Sequence, residues 1–274
     1  MRDTVFVWGA RTFVMGIVNV TPDSFSGDGL GADVARTVAK VRHFEAEGAD
    51  IVDIGAESSR PGAPELDPQE ELRRLQPHLE AARAATTLPI SVDTYHAAVA
   101  QRALELGADL INDISGLVRD PEMSTVVAKS GAAVVAMHNQ RGRPVRTVAW
   151  ELRERLDAIL CAAERAGIPL GRVIWDPGFG FGWDASQNLE ILRVLPQFWD
   201  AGLPILTGVS RKSTIGRVVG GDPQDRLEGT AALVSLSIAA GADLVRVHDV
   251  REMVRVAKMT DAVVRGWDEK EVAS

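Results

Sequence analysis

Three times in this sequence a stretch with helical spacing ends in Gly-Ala-Asp and runs straight into a short apolar segment. The copies are Gly48-Ala49-Asp50 before Ile51–Ile54, Gly107-Ala108-Asp109 before Leu110–Asp113, and Gly241-Ala242-Asp243 before Leu244–Val247. Gly131-Ala132-Ala133 before Val134–Met137 is a looser copy; Ala166-Gly167-Ile168-Pro169 and Ala201-Gly202-Leu203-Pro204 are looser still. In each the glycine reads as a helix C-cap and the apolar segment as a strand. The apolar runs are continuous rather than alternating, as in parallel strands covered on both faces.

Eight such runs fall near residues 13–19, 51–55, 89–93, 109–113, 132–137, 172–176, 204–208 and 244–248. Helical spacing fills the intervals at Ala32–Glu47, Pro68–Ala85, Tyr95–Leu106, Val148–Ala166, Asn188–Ala201, Gly229–Ala240 and Val250–Val264, with a short helix around Pro121–Lys129. Spread over eight units, 274 residues give about 34 per unit, which suits a βα repeat. The expected fold is α/β: a single (β/α)8 TIM barrel rather than an open doubly wound sheet, occupying residues 1–274 as one domain. Residues 4–12 read as a short N-terminal β-hairpin closing the barrel floor.

Composition narrows the partners. The net charge of −8 argues against a nucleic-acid protein, though a few focused cations can still bind an anionic substrate. Cys161 is the single cysteine, which suits a reducing, cytoplasmic setting. No apolar run reaches 18 residues, so no membrane association is expected.

The strand ends are polar, where a barrel of this kind carries its active site. They present Asn19, Asp53, Asp93, Asn112, His138, Asp176, Lys212, Arg246 and His248. Helix capping could account for Asp113 or Asp249, but not for a whole ring. The connections after the first two strands, 21–31 and 56–67, are too long for simple βα turns and carry Phe25 and Arg60.

The ring divides by chemistry. Asp93, Asn112 and Asp176 form an acceptor-rich set suited to the guanidine-like edge of a planar heterocycle such as a pterin. Arg246 and His248 share one face of the eighth strand and, with Asn19 and the Ser210–Ser213 turn, could hold an anion. On residues alone, Arg-x-His reads equally as a structural pair. No HxxxH or CxxC companion marks a metal site, and no phosphate-binding glycine loop follows the first strand. Gly178-Phe179-Gly180-Phe181-Gly182 reads as a tight turn presenting Phe181.

Seven segments, in order, carry a family resemblance: Met15–Ser26, Glu57–Gly62, Ser91–Thr94, Ile111–Ile114, Asp176–Gly182, Ser210–Ser213 and Arg246–Asp249. Together they resemble the dihydropteroate synthases from about residue 12 to 265. The resemblance implies a transferase of folate biosynthesis, a sulfonamide target. Its reaction condenses 6-hydroxymethyl-7,8-dihydropterin pyrophosphate with 4-aminobenzoate, giving 7,8-dihydropteroate and pyrophosphate by an SN1-like route. It implies a pterin site of Asp93, Asn112, Met137, Asp176, Gly208 and Lys212, and a pyrophosphate site of Asn19, Arg246 and His248 with Mg2+ at Asn19. Aminobenzoate is implied near Phe25, Ser59, Arg60, Pro61, Phe181 and Ser213, and the catalytic groups are Asp93, Asp176, Lys212, Arg246 and His248. A homodimer is implied as well.

Some positions depart from the family pattern. The first loop carries Gly27-Asp28 where Asp-Gly is usual, Trp183-Asp184 follow where a lysine is common, and Asn139-Gln140-Arg141-Gly142 replace Met-Gln-Gly. These bear on aminobenzoate affinity or discrimination against sulfonamides. The alternative is a pterin-dependent methyltransferase acting on methyltetrahydrofolate, which would need neither the Ser-Arg-Lys turn nor Arg-x-His-Asp.

Overall fold

A computed structural model describes residues 4–21, 29–58 and 63–267. Its strands are β1 (Phe13–Asn19), β2 (Ile51–Gly55), β3 (Ile90–Asp93), β4 (Leu110–Asp113), β5 (Ala133–Met137), β6 (Val173–Asp176), β7 (Leu206–Thr207) and β8 (Leu244–Val247). All pair in parallel in the order β6-β5-β4-β3-β2-β1-β8-β7. The ring closes between β6 and β7 through one bridge, Trp175 to Ile205, where the Trp175 N–H donates to the Pro204 carbonyl at 2.9 Å. The sequence therefore describes a closed (β/α)8 barrel, as expected.

Around it run α1 (Val34–Ala46), α2 (Pro68–Ala85), α3 (Ala97–Glu105), α4 (Met123–Ser130), α5 (Val148–Ala166), α6 (Ala185–Val194), α7 (Ser213–Val219), α8 (Leu227–Ala239) and α9 (Val250–Val264). The expected helix 188–201 is α6 starting three residues earlier, and 3-10 turns fill 195–201 because Pro196 cannot donate to an α-helical ladder. The sequence predicts a turn at Ser210–Ser213 and no helix at α7. That helix is only seven residues long and ends at Gly220, too short to show a period.

The Gly-Ala-Asp repeat has a second function beyond capping. Gly48, Gly107 and Gly241 hold φ of +91°, +97° and +101°, open only to glycine at low cost. The aspartate that follows reaches sideways to an N–H at the start of a neighbouring strand. Asp50 Oδ2 accepts from Val14 N at 2.8 Å, Asp109 Oδ2 from Ile90 N at 2.9 Å, and Asp243 Oδ2 from Ile205 N at 3.0 Å. Each strap satisfies an end-of-strand donor that would otherwise be orphaned.

Two apolar layers follow from strand alternation. Outward side chains such as Val52, Ile54, Val92, Ile111, Val134 and Val245 lie under the helices. Inward ones at the lower end, Phe13, Met15, Ile51, Leu110, Val135, Ile174, Leu206 and Leu244, fill the barrel. Residues 4–12 form no strand; an extended run and a turn at 8–10 replace the expected hairpin, with Ala10 N bonded to Val7 O at 3.2 Å. Phe6 and Trp8 nonetheless close the floor, with ring centroids 4.8 and 5.3 Å from Phe13.

Candidate active site at the barrel mouth

On four of the strands the inward face turns polar beyond the apolar floor. Ile51 is followed by Asp53, Leu110 by Asn112, Ile174 by Asp176, and Leu244 by Arg246 and His248. Asp93 stands beside Asn112 and Gly55 in the strand register, and Met137 beside Asp176. The barrel is therefore greasy below and charged above.

The sequence reading set the carboxylates apart from the basic pair. The structure joins them instead. Arg246 Nε donates to Asp53 Oδ2 at 2.6 Å, and its Nη2 donates to Asp93 Oδ2 at 3.0 Å. Asn112 Nδ2 donates to the same Asp53 oxygen at 3.2 Å. The merger comes from geometry that a sequence conceals: β8 is next to β1 and only two strands from β2, so a long arginine spans the mouth.

Burial sets the protonation of this cluster. It pushes Asp93 above the usual carboxylate range; Arg246 pulls it back and Asp53 pushes it further up. It pushes Asp176 up to about 6, resisted by the Gly178 N–H that Asp176 Oδ1 accepts at 2.7 Å. It lowers Lys212 to about 8, helped by Arg246 and opposed by Asp176. Burial also works against the charge on Arg246, but Asp53 and Asp93 outweigh it and the guanidinium is held charged. Asp176 thus serves the turn before Gly178 as well as facing the mouth.

Lys212 owes its position to a pinned turn. Arg211 sits at φ +56°, its N–H bonded to Thr230 Oγ1 at 3.1 Å, its carbonyl to Arg226 Nη1 at 2.9 Å, and its guanidinium to Asp249. Asp249 makes no side-chain cap on α9, so the capping role considered for it is replaced by this ion pair. Asp113 does serve the backbone, accepting from Ser115 N at 2.7 Å and Leu117 N at 2.8 Å. His248 Nδ1 lies 2.9 Å from Ser210 Oγ.

The turn after β6 is tight, as its glycines promised. A Cβ on Gly178 would lie 1.8 Å from the His138 carbonyl oxygen, and one on Gly180 would lie 2.8 Å from Lys212 Cδ. The Phe181 ring so presented has Lys212 Nζ at 4.3 Å and the Arg141 guanidinium carbon at 4.7 Å from its centroid. Phe181 clusters with Met137, Tyr95 and Ile114, joining residues that the sequence assigned to two subsites. At Gly208, a Cβ would meet nothing within 4 Å. Asn19 ends β1, its carbonyl taking the Leu30 N–H at 2.9 Å where the first long loop returns; Ser213 is exposed at the start of α7.

His138 is structural. It is fully buried, stacked on Trp183 at 5.1 Å, paired through Nε2 with Gln140 Oε1 at 2.9 Å, and lowered by burial to about 4. Trp183 therefore has a packing role where the family often has lysine, and Asp184 caps α6 in a capping box with Gln187. Phe25, Asp28, Ser59, Arg60 and Pro61 lie outside the described residues.

Sequence reasoning missed what surrounds the second long loop. The Tyr95 hydroxyl donates to Glu57, Arg119 Nη2 reaches Glu65 Oε2 at 2.5 Å, and the Arg119 guanidinium lies 4.0 Å over the Tyr95 ring. Glu57, Glu71 and His96 bring donor atoms within 4.8 Å of one another, the one such metal-sized group among the described residues. His96 Nδ1 and Glu71 Oε2 are 2.6 Å apart. The three come from a loop, helix α2 and the N-cap of α3, so no spacing could have revealed them.

A polar mouth at the carboxyl ends of the strands, over an apolar floor, defines a (β/α)8-barrel enzyme class, and a family model described as "Pterin binding enzyme" matches residues 15–248. The dihydropteroate synthase of a Synechocystis species is 42% identical over 271 residues, covering 96% of this chain and 93% of its own. A solved dihydropteroate synthase from Clostridium difficile, determined with pteroic acid, is 44% identical with a TM-score of 0.90, covering 95% of this chain and 100% of that one. A Xanthomonas albilineans dihydropteroate synthase with 4-aminobenzoic acid is 43% identical with a TM-score of 0.87, covering 93% and 94%. The chain is an enzyme and belongs to the dihydropteroate synthase family.

Proposed function

We propose that this enzyme condenses 6-hydroxymethyl-7,8-dihydropterin pyrophosphate with 4-aminobenzoate, releasing pyrophosphate and 7,8-dihydropteroate. The observation that carries this reading is the buried ion-pair network in which Arg246 bridges Asp53 and Asp93 beside Asn112. It offers a flat polar edge for a pterin and a cation for a leaving diphosphate in one pocket.

Asp93, Asn112, Asp176 and Lys212 bind the pterin in this scheme, with Met137 and the open space at Gly208 as walls. Arg246, His248 and Asn19 face the pyrophosphate. Phe181 and Ser213, with Phe25, Ser59, Arg60 and Pro61, receive aminobenzoate. The methylene C–O bond breaks first and its electron pair leaves with the diphosphate. The cation left on the methylene-pterin is stabilised by Asp93 and Asp176, and the aniline nitrogen then attacks it and loses a proton. Burial raises both carboxyls, and a cation formed beside them would favour their charged forms.

Mg2+ fits this site as a companion of the substrate. Asn19, at the end of β1, would hold the ion through its hard amide oxygen. When bound, the ion neutralises charge building on the leaving group.

A cytoplasmic homodimer completes the reading. Leu236, Met259 and Val263 stay exposed on α8 and α9, whereas Leu233 turns inward. No described helix is long and apolar enough to cross a membrane. The deciding assay mixes the pterin pyrophosphate, 4-aminobenzoate and Mg2+ with the enzyme and measures pyrophosphate. Aminobenzoate-dependent release is expected; without it the reading fails.

A further inference from the structure

Asp53 is absent from every role assigned above, yet it is the most enclosed charge in the mouth. It is fully buried, and β1 and β3 flank it on either side through Ile17 and Ser91. One oxygen, Oδ2, takes both Arg246 Nε and Asn112 Nδ2; the other, Oδ1, has no partner. The inner edge of Arg246 is thus fixed to a central strand, while its outer Nη2 arm rests on Asp93.

That outer contact puts a guanidinium against the carboxylate that faces the guanidine-like edge of a pterin. Arg246 Nη2 already sits on Asp93 Oδ2 at 3.0 Å, so a pterin N–H approaching that oxygen competes with it, and the Nε arm alone has a second anchor, on Asp53. We propose that Asp53 is a positioning residue, the fixed pivot on which Arg246 exchanges Asp93 for the diphosphate of the substrate. The proposal rests on the synthase reading and adds to it a coupling between the pterin and phosphate halves of one substrate. A charged arginine is also held inside the barrel before any phosphate arrives, so its charge is in place when the bond breaks.

Asp53→Asn keeps the shape and removes the charge. Acting through Arg246, it should lower kcat/KM for the pterin pyrophosphate by about 10- to 100-fold. Affinity for 6-hydroxymethylpterin, which has no phosphate, should change by less than about threefold by calorimetry. In an Arg246→Ala background, Asp53→Asn should add less than about threefold further loss in kcat/KM. Equal weakening of the phosphate-free pterin, or full additivity, would overturn the pivot. A second variant leaves Asp53 untouched: Arg246→Lys keeps the charge but has no Nε arm. It should fall within about threefold of Arg246→Ala, and near-normal turnover would overturn the proposal. Wild-type turnover is the control. Its absence sinks the synthase reading, whereas normal turnover with unimpaired variants sinks only the role of Asp53.

Discussion

At the scale of single residues, the mouth trades stability for chemistry. Asp176 ionises in an unfolded chain near 3.8 but in the folded one only near 6. Its charge therefore opposes folding above pH 6, by about 3 kcal/mol at most, and that opposition fades as pH falls from 6 towards 4. Asp176→Asn should abolish turnover yet raise the unfolding free energy at pH 7 by about 1–3 kcal/mol. The gain should shrink at pH 4.5, where the wild-type carboxyl is already protonated. Urea melts at the two pH values test this, and a variant less stable at pH 7 would refute it. The identity of these residues was plain from the sequence because strand ends are where a barrel keeps its polar groups. Their pairing was not, since Arg246 and Asp53 are 193 positions apart and meet only because the sheet closes.

Among elements, the three Gly-Ala-Asp straps tie β2 to β1, β4 to β3 and β8 to the start of β7. Asp109 caps Ile90 N and also accepts from Arg83 at 3.2 Å. Asp109→Ala should cost about 1–3 kcal/mol in a thermal or urea melt, by leaving the Ile90 N–H without its acceptor and removing one of the bonds of Arg83. Because the strap is at the opposite end of β4 from Asn112 and Asp113, kcat should stay within about twofold. An unchanged melting curve would show that water replaces the carboxylate. The helix and strand limits were largely legible: α2, α5 and α9 match their expected bounds, and β1 and β2 match theirs. Glycine caps and proline starts announce themselves locally. The use of the aspartate did not, because it depends on which strands are neighbours. The leading hairpin failed for a related reason, as Phe6 and Trp8 gain more by plugging the floor than by pairing.

For the whole molecule, the sheet is joined by seven ladders and one bridge. The Trp175 N–H crosses that seam to Pro204, whereas Val52 N–H bonds Pro89 across the β2–β3 ladder at 3.1 Å. Amide exchange at Trp175 should run at least about tenfold faster than at Val52; equal protection would mean the seam is as strong as the rest. Closure itself was legible from the count of units, but the thin seam was not: β7 has only two residues in register, and the apolar run 204–208 looked as long as the others. The two segments that meet there lead into Asp176 and Gly208, both assigned to the pterin. A ring stiff around most of its rim and compliant at one joint behaves as a clasp rather than a hoop. If exchange at Trp175 is as fast as predicted, a bulkier heterocycle would be admitted by opening that one gap beside Gly208, without disturbing the charged arc from Asp53 to Arg246.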